Sequence, residues 1–307
     1  MTGSKYDMLT ILGPTASGKT EVAVNVALKL GAEIISADSR QIYREMDLGT
    51  GKDLVEYCVN GLAVPYHLID IAEAGYQYNV FEYQRDFLKA YHSIIEKGSF
   101  PVMCGGSGMY LEAVLKGYRL IQVPVNEERR NELQLLSLES LTAILKQYKS
   151  INNTSDTENK KRAIRAIEIE EFCLAHPDTD LSFPAIKSLV VGVKYDRDSR
   201  RRRITERLKQ RLENGMIEEV QKLIDKGLKP EDLTYYGLEY KYLTLYITGS
   251  LSYDEMFNGL NTAIHQFAKR QMTWFRKMER EGTVIRWLDG YMPAEEKTDK
   301  IISWLNE

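Results

Sequence analysis

Eight residues near the amino terminus, Gly13-Pro14-Thr15-Ala16-Ser17-Gly18-Lys19-Thr20, constrain this chain more than any others. They fit the pattern G-x-x-x-x-G-K-[ST]. They follow the apolar run Met8–Leu12 and open the stretch Thr20–Leu30, where Val22, Val26 and Leu30 share one helical face. Strand, glycine-rich turn and helix together form the setting in which this pattern wraps phosphate. The glycines let consecutive backbone N–H groups turn inward, and the helix N-terminus adds partial positive charge. Lys19 then neutralises the outer phosphate, and Thr20 is placed to hold Mg²⁺. Chance alone produces such a match in roughly one chain of this length in a hundred, given ordinary residue usage. Kinases, NTPases and some transferases all carry this loop, so it specifies phosphate binding and leaves the reaction open.

The rest of the first 125 residues continues the alternation. Glu33–Ala37 reads as a second strand with a polar turn at Asp38–Gln41, Phe81–Lys97 as a helix, and Phe100–Cys104 as a third strand running into Gly105-Gly106. This predicts an α/β fold: a P-loop NTPase-like parallel sheet flanked by helices. From Asn126 the strand pattern stops. Residues 126–180 read as a helical insertion, with a polar break at Asn152–Asp156 and a helix at Glu158–Phe172. Residues 181–307 complete the core through a strand at Ser188–Val193 and continue from Ser199 as long helices, with turns at Gly227–Pro230 and Gly249–Ser252.

Ligands of open α/β sheets bind beyond the carboxyl ends of the strands, which places Asp38 across a crevice from the phosphate loop. Residue type and position allow two roles there: a base that takes a proton from an attacking nucleophile, or an N-cap for the next segment. Gly105-Gly106-Ser107-Gly108 likewise reads either as a ligand-facing helix start or as a tight turn that needs glycine. Basic residues cluster at Lys160–Arg165, between Lys194 and Arg211, and from Lys269 to Arg280 beside Trp274 and Phe275. Such runs are either solvated faces or the footprint of a polyanion, and the interleaved aromatics of the third favour the polyanion.

Composition narrows the setting. With 41 basic and 44 acidic residues the formal charge is −3, and hydrophobic residues make up 43%, a globular composition. Cys58, Cys104 and Cys173 are far apart and make no metal-ligand spacing. No signal-peptide pattern and no run near the ~20 apolar residues that span a bilayer is present, so a cytoplasmic protein without a membrane partner is expected.

In order and spacing, the phosphate loop, Ser36-Ala37-Asp38-Ser39-Arg40-Gln41-Ile42-Tyr43 and the segment Met46–Lys52 resemble the bacterial tRNA dimethylallyltransferase family. His67–Asp70, Gly105–Tyr110, Lys161–Glu168 and Ala268–Phe275 extend the resemblance over nearly the whole chain. It implies transfer of a dimethylallyl group from dimethylallyl diphosphate to N6 of the adenosine just 3′ of the anticodon, with the tRNA anticodon arm as partner and a monomeric enzyme. By the same resemblance Gly13, Pro14, Thr15, Ala16, Ser17, Gly18, Lys19 and Thr20 hold the donor diphosphate, with Mg²⁺ near Thr20. Arg197 matches a position near the leaving group, and Asp38 accepts the N6 proton. Contacts to tRNA are implied for Asp38, Ser39, Arg40, Gln41, Ser107, Arg129, Lys161, Arg162, Ala163, Ile164 and Arg165.

Departures from the family pattern fall outside the catalytic positions. Tyr66 replaces a histidine, Ser107 a threonine and His265 an arginine, while Gly237-Leu238-Glu239-Tyr240-Lys241 stands where a Gly-Tyr-Lys-Glu segment is usual. They bear on RNA contacts rather than on chemistry. Two other readings compete with transfer. A small-molecule P-loop kinase would use the same Lys19, Thr20 and Asp38 but leaves the basic and aromatic C-terminal segment unexplained. A catalytically inactive RNA-binding relative would have no need of these three residues.

Overall fold

A computed structural model describes residues 5–150, 155–177 and 182–307 of the chain. It divides into two compact units: one runs up to Tyr118 and resumes from Pro184 to Glu307, and the other is Arg119–Phe183.

The first unit begins with β1 (Met8–Leu12), α1 (Lys19–Leu30) and β2 (Glu33–Ala37). A small hairpin, β3 (Cys58–Val59) with β4 (Leu62–Ala63), precedes β5 (Tyr66–His67), α2 (Val80–Glu96), β6 (Pro101–Gly105) and α3 (Gly108–Leu115). The six-stranded sheet has the order β5-β2-β6-β1-β7-β8, where β7 is Ser188–Lys194 and β8 is Arg286–Asp289, and every pairing is parallel. All five residues of β1, β2 and β6 are buried, as parallel strands covered on both faces require. Leu9, Ile11, Ile34, Val102 and Val191 pack with Val22 and Val26 of α1 and with Ile301 and Leu305 of α12 (Ala294–Leu305). Between β7 and β8 lie α7 (Arg197–Glu213), α8 (Met216–Asp225), α9 (Pro230–Leu233), α10 (Leu238–Ile247) and the 28-residue α11 (Tyr253–Arg280).

Register positions the site. Leu12 pairs with Gly105, and Gly105 pairs with Ala37. The loops after β1, β6 and β2 therefore leave the sheet at one level, with outer strands about 10 Å apart at the usual strand spacing. After β1 the chain travels to β2 on one side, and after β6 it goes on to β7 on the other. This reversal opens the crevice in which α/β proteins bind ligands. Gly105 is essential to it, because a Cβ there would sit 2.2 Å from the Ala37 carbonyl oxygen. Gly105→Ala is expected to cost about 1–3 kcal/mol through overpacking. Urea unfolding measures this, and an unchanged midpoint would mean that β2 and β6 part freely.

The sheet edges differ from expectation. Neither β5 nor β8 is evident in the sequence: β5 has two residues, and only Leu288 of the four in β8 is fully buried. The carboxyl-terminal stretch read as helices therefore also supplies an edge strand.

The second unit packs α4 (Glu127–Gln134), α5 (Leu138–Tyr148) and α6 (Lys160–Ala175) around Leu133, Leu141, Leu145, Ala163 and Ile167. The polar break expected at Asn152–Asp156 falls partly outside the described residues.

Candidate active site

The loops at the strand ends line a cleft of about 840 Å³ in the first unit. Its floor is the phosphate loop. Gly13 is required there, since a Cβ would meet Ser17 Oγ at 2.5 Å and the Val193 carbonyl oxygen at 2.7 Å. Ala16 (φ 61°) and Gly18 (φ 77°) adopt left-handed backbone, which curls the loop into a cradle. α1 starts at Lys19 with no side-chain cap, so the N–H groups of its first turn are without intrahelical acceptors and free for an anion. Ser17 Oγ is buried without a hydrogen-bond partner among the described residues, again a donor in want of an acceptor. Thr15 through Thr20 all line the cleft, whereas Gly13 and Pro14 lie buried beneath them. Under the loop the Cys104 thiol lies 3.8 Å from the Lys19 carbonyl oxygen, and burial pushes it up to about 12, so it stays protonated.

Asp38 lines the wall next to the loop. Its Oδ1 accepts the Arg40 N–H at 3.0 Å, closing an Asx turn and not a helix cap. Among the described residues its second oxygen has no protein partner, which leaves a lone pair for chemistry. Ser107 joins this turn to the Gly105-Gly106 turn: its Oγ accepts the Ser39 N–H at 2.9 Å and donates to Ser39 Oγ at 3.2 Å. Ser107 is the N-cap residue of α3, yet its side chain does not cap that helix. The hydroxyl retained at this position thus holds two site loops together. Gln41 does similar work, accepting from Ser36 Oγ at 3.1 Å and donating to the Gly51 carbonyl at 3.1 Å. Arg40 donates to the Tyr235 carbonyl at 2.7 Å.

The opposite wall comes from α7, α10 and α11, and most of its chemistry went unread in the sequence. Arg203 Nε donates to the Ala16 carbonyl at 3.0 Å, and Arg207 donates to Thr15 Oγ1. Burial, then the neighbouring Arg211, brings the Arg207 guanidinium down to about 10, still charged at neutral pH. Arg197, expected here, is a correction: it is the exposed first residue of α7 and does not line the cleft. Arg203, Arg207 and Arg211 recur every four residues, so one face of α7 carries all three, and Arg197 lies before that stripe. The only sequence signal was that stripe inside a denser basic run. Glu239 also lines the cleft; burial raises its carboxyl above the usual range against the pull of Arg211, Arg207 and Arg40.

Two further segments support the site, and Gly49, Thr50 and Gly51 of the first also line the cleft. Lys52 is fully buried and donates to Asp47 at 2.7 Å, to Asp70 and to the Tyr43 carbonyl. Glu219 accepts three successive N–H groups, from Asp47, Leu48 and Gly49, at 2.7–3.0 Å. The segments Met46–Lys52 and His67–Asp70 are therefore a brace for the loop beside Asp38.

In the second unit the candidate RNA contacts separate into two groups. Ala163 and Ile164 are corrected: both side chains are buried in that unit's own core, the inward face of α6. Arg129 pairs with Glu171 at 2.7 Å and with Glu132 at 2.9 Å, and Arg165 pairs with Glu168 at 3.1 Å. Lys161 and Arg162 are exposed, with Arg162 paired to Glu158.

A parallel sheet with an uncapped phosphate loop, a carboxylate on the same cleft and an arginine stripe opposite defines a P-loop α/β protein whose cleft can take a phosphorylated ligand beside a carboxylate. Residues 41–278 match the family model described as IPP transferase. The chain is 62% identical over 307 residues, all of both chains, to tRNA dimethylallyltransferase 2 of Bacteroides fragilis strain YCH46. It is 59% identical over 302 residues, 98% of each chain, to tRNA dimethylallyltransferase 2 of Phocaeicola vulgatus. Among solved structures, the full-length tRNA isopentenylpyrophosphate transferase of Bacillus halodurans is similar with a TM-score of 0.72 at 30% identity, over 98% of this chain and 96% of that one. The chain belongs to the IPP transferase family, the family of the tRNA dimethylallyltransferases.

Proposed function

We propose that this protein transfers a dimethylallyl group from dimethylallyl diphosphate to N6 of the adenosine immediately 3′ of the anticodon in tRNA, releasing diphosphate. The observation that carries the reading is the pairing of Leu12, Gly105 and Ala37 in register. It sets the phosphate loop and Asp38 on one cleft, in a chain alike end to end with a tRNA dimethylallyltransferase.

The target amine lies in a stacked loop, so the base must leave the stack to enter the cleft. Its nitrogen attacks the allylic carbon, the bond from that carbon to the diphosphate oxygen breaks, and the N6 proton passes to Asp38. Lys19 and the N–H groups at the start of α1 stabilise the negative charge that grows on the departing diphosphate. Arg207 and Arg203 hold the loop that does this. Mg²⁺ fits the donors present: a single neutral hydroxyl at Thr20 with Asp38 nearby leaves most ligand positions to phosphate oxygens and water, its usual habit. Thr20 would hold the ion, whose positive charge would further stabilise the leaving diphosphate.

We propose that the enzyme acts as a monomer. No helix among the described residues is long and apolar enough to cross a membrane, and with tRNA as substrate we place the protein in the cytoplasm. The exposed Lys161 and Arg162 are assigned to phosphates of the anticodon arm. Replacing both with glutamine is expected to weaken tRNA binding and lower the slope of log affinity against log salt by about 1–2; an unchanged slope would place that face in solvent.

The test of the whole reading combines the protein, Mg²⁺, labelled dimethylallyl diphosphate and bulk tRNA lacking the modification, followed by nucleoside analysis. Labelled N6-dimethylallyl-adenosine is the expected product. Absence of label, with phosphoryl transfer from ATP to a small molecule, would replace this reading with a kinase.

A further inference from the structure

Resting on that reading, we infer that Gln271 of α11 is a positioning residue for the donor diphosphate, holding the phosphate loop in its binding conformation from outside the cradle. The side-chain amide makes two hydrogen bonds to site backbone. Its Oε1 accepts the Thr15 N–H at 2.8 Å, and its Nε2 donates to the Gly106 carbonyl at 2.9 Å. The residue is 8% exposed at the cleft wall, with the bond to Gly106 buried and the bond to Thr15 half-buried. They join the loop after β1 to the loop after β6, the two loops between which the crevice opens.

Gln271 is needed because the loop is strained. Ala16 is not glycine, yet it sits at φ 61°, in the left-handed region that L-residues adopt at a cost. Strain of this kind persists where the surroundings over-determine it. Three side chains do so on the Thr15–Ala16 segment: Gln271 on the Thr15 N–H, Arg207 on Thr15 Oγ1 and Arg203 on the Ala16 carbonyl. Of these only Gln271 comes from α11. Its Oε1 also occupies the Thr15 N–H, leaving phosphate to the N–H groups that begin α1.

The choice of side chain follows from its chemistry. An amide accepts at one end and donates at the other. Glutamate would keep the Thr15 bond, but its second oxygen would face the Gly106 carbonyl and its charge would oppose the diphosphate. A shorter side chain would not bridge the gap, and Gly106 confirms how close the contact is: a Cβ there would lie 2.5 Å from Gln271 Nε2.

The test uses the full-length protein with Mg²⁺, comparing wild type with Q271M and Q271E. The readouts are KM for dimethylallyl diphosphate, KM for tRNA, Kd for inorganic diphosphate and Tm. For Q271M, KM for the donor and Kd for inorganic diphosphate are expected to rise together by about tenfold or more. KM for tRNA should move less than about threefold, with a larger donor effect in Q271E. Unchanged diphosphate binding in an active, folded variant would overturn the inference. So would a rise confined to the tRNA constant, which would make Gln271 an RNA contact, or equal losses in every constant with a fallen Tm, which would make it purely structural. Should Q271M fail to fold, Q271E alone decides by the same split. Failure of the wild type to transfer label would sink the functional reading instead, and its diphosphate Kd separates the two failures.

Discussion

Asp38→Asn is expected to lower turnover by about 10²–10⁴-fold while leaving tRNA affinity within a few-fold, the range for loss of a general base. Asparagine isolates the chemistry because its side-chain oxygen still accepts the Arg40 N–H that closes the turn. What it loses is the basic oxygen that has no protein partner among the described residues. The neighbouring pins, from Ser107 to Ser39 and from Gln41 to Gly51, do not involve the Asp38 carboxylate, so the wall should keep its shape. Single-turnover kinetics alongside filter binding measures both quantities. Equal losses in rate and affinity would make Asp38 a binding residue, and a rate unchanged within a factor of two would remove it from the reaction.

Lys19→Met is expected to cost about 10²–10³-fold in kcat/KM for the donor, by analogy with deletion of one preorganised donor to a developing anion. Its backbone is the first residue of α1 and would remain, so the fold of the loop and its N–H groups survive the change. The lost charge is the one proposed to neutralise the outer phosphate. Binding of inorganic diphosphate should weaken in parallel, while tRNA binding should not. A loss confined to tRNA would show that the cradle holds a phosphate of the RNA backbone and not the donor.

The sequence is most readable where the physics is local. β1 and β2 were expected at Met8–Leu12 and Glu33–Ala37, and both occur there. An interior parallel strand buries both faces and so is written as a mostly apolar run. β6 and β7 deviate only at their ends, at Pro101–Gly105 and Ser188–Lys194. The two edge strands were invisible for the same reason in reverse. Tyr66–His67 and Arg286–Asp289 each have a side without a strand neighbour, and neither carries a run of apolar residues. The basic runs were legible as charge and not as partners. Arg129 and Arg165, for which the family resemblance implies RNA contacts, pair in the fold with Glu171 and Glu168.

By itself, then, the sequence determined the phosphate loop, the interior strands and the carboxylate at the end of β2, all of which depend on residues a few positions apart. The tertiary structure alone decided what completes the site. Spacing along a helix tells which residues share a face but not what that face meets, and the three arginines that form the stripe on α7 were therefore hidden within a longer basic run. The bond from Gln271 to Thr15 joins residues 256 positions apart. Only packing α7 and α11 against the carboxyl ends of the strands brings Arg203, Arg207 and Gln271 to a loop whose own pattern gives no hint of them.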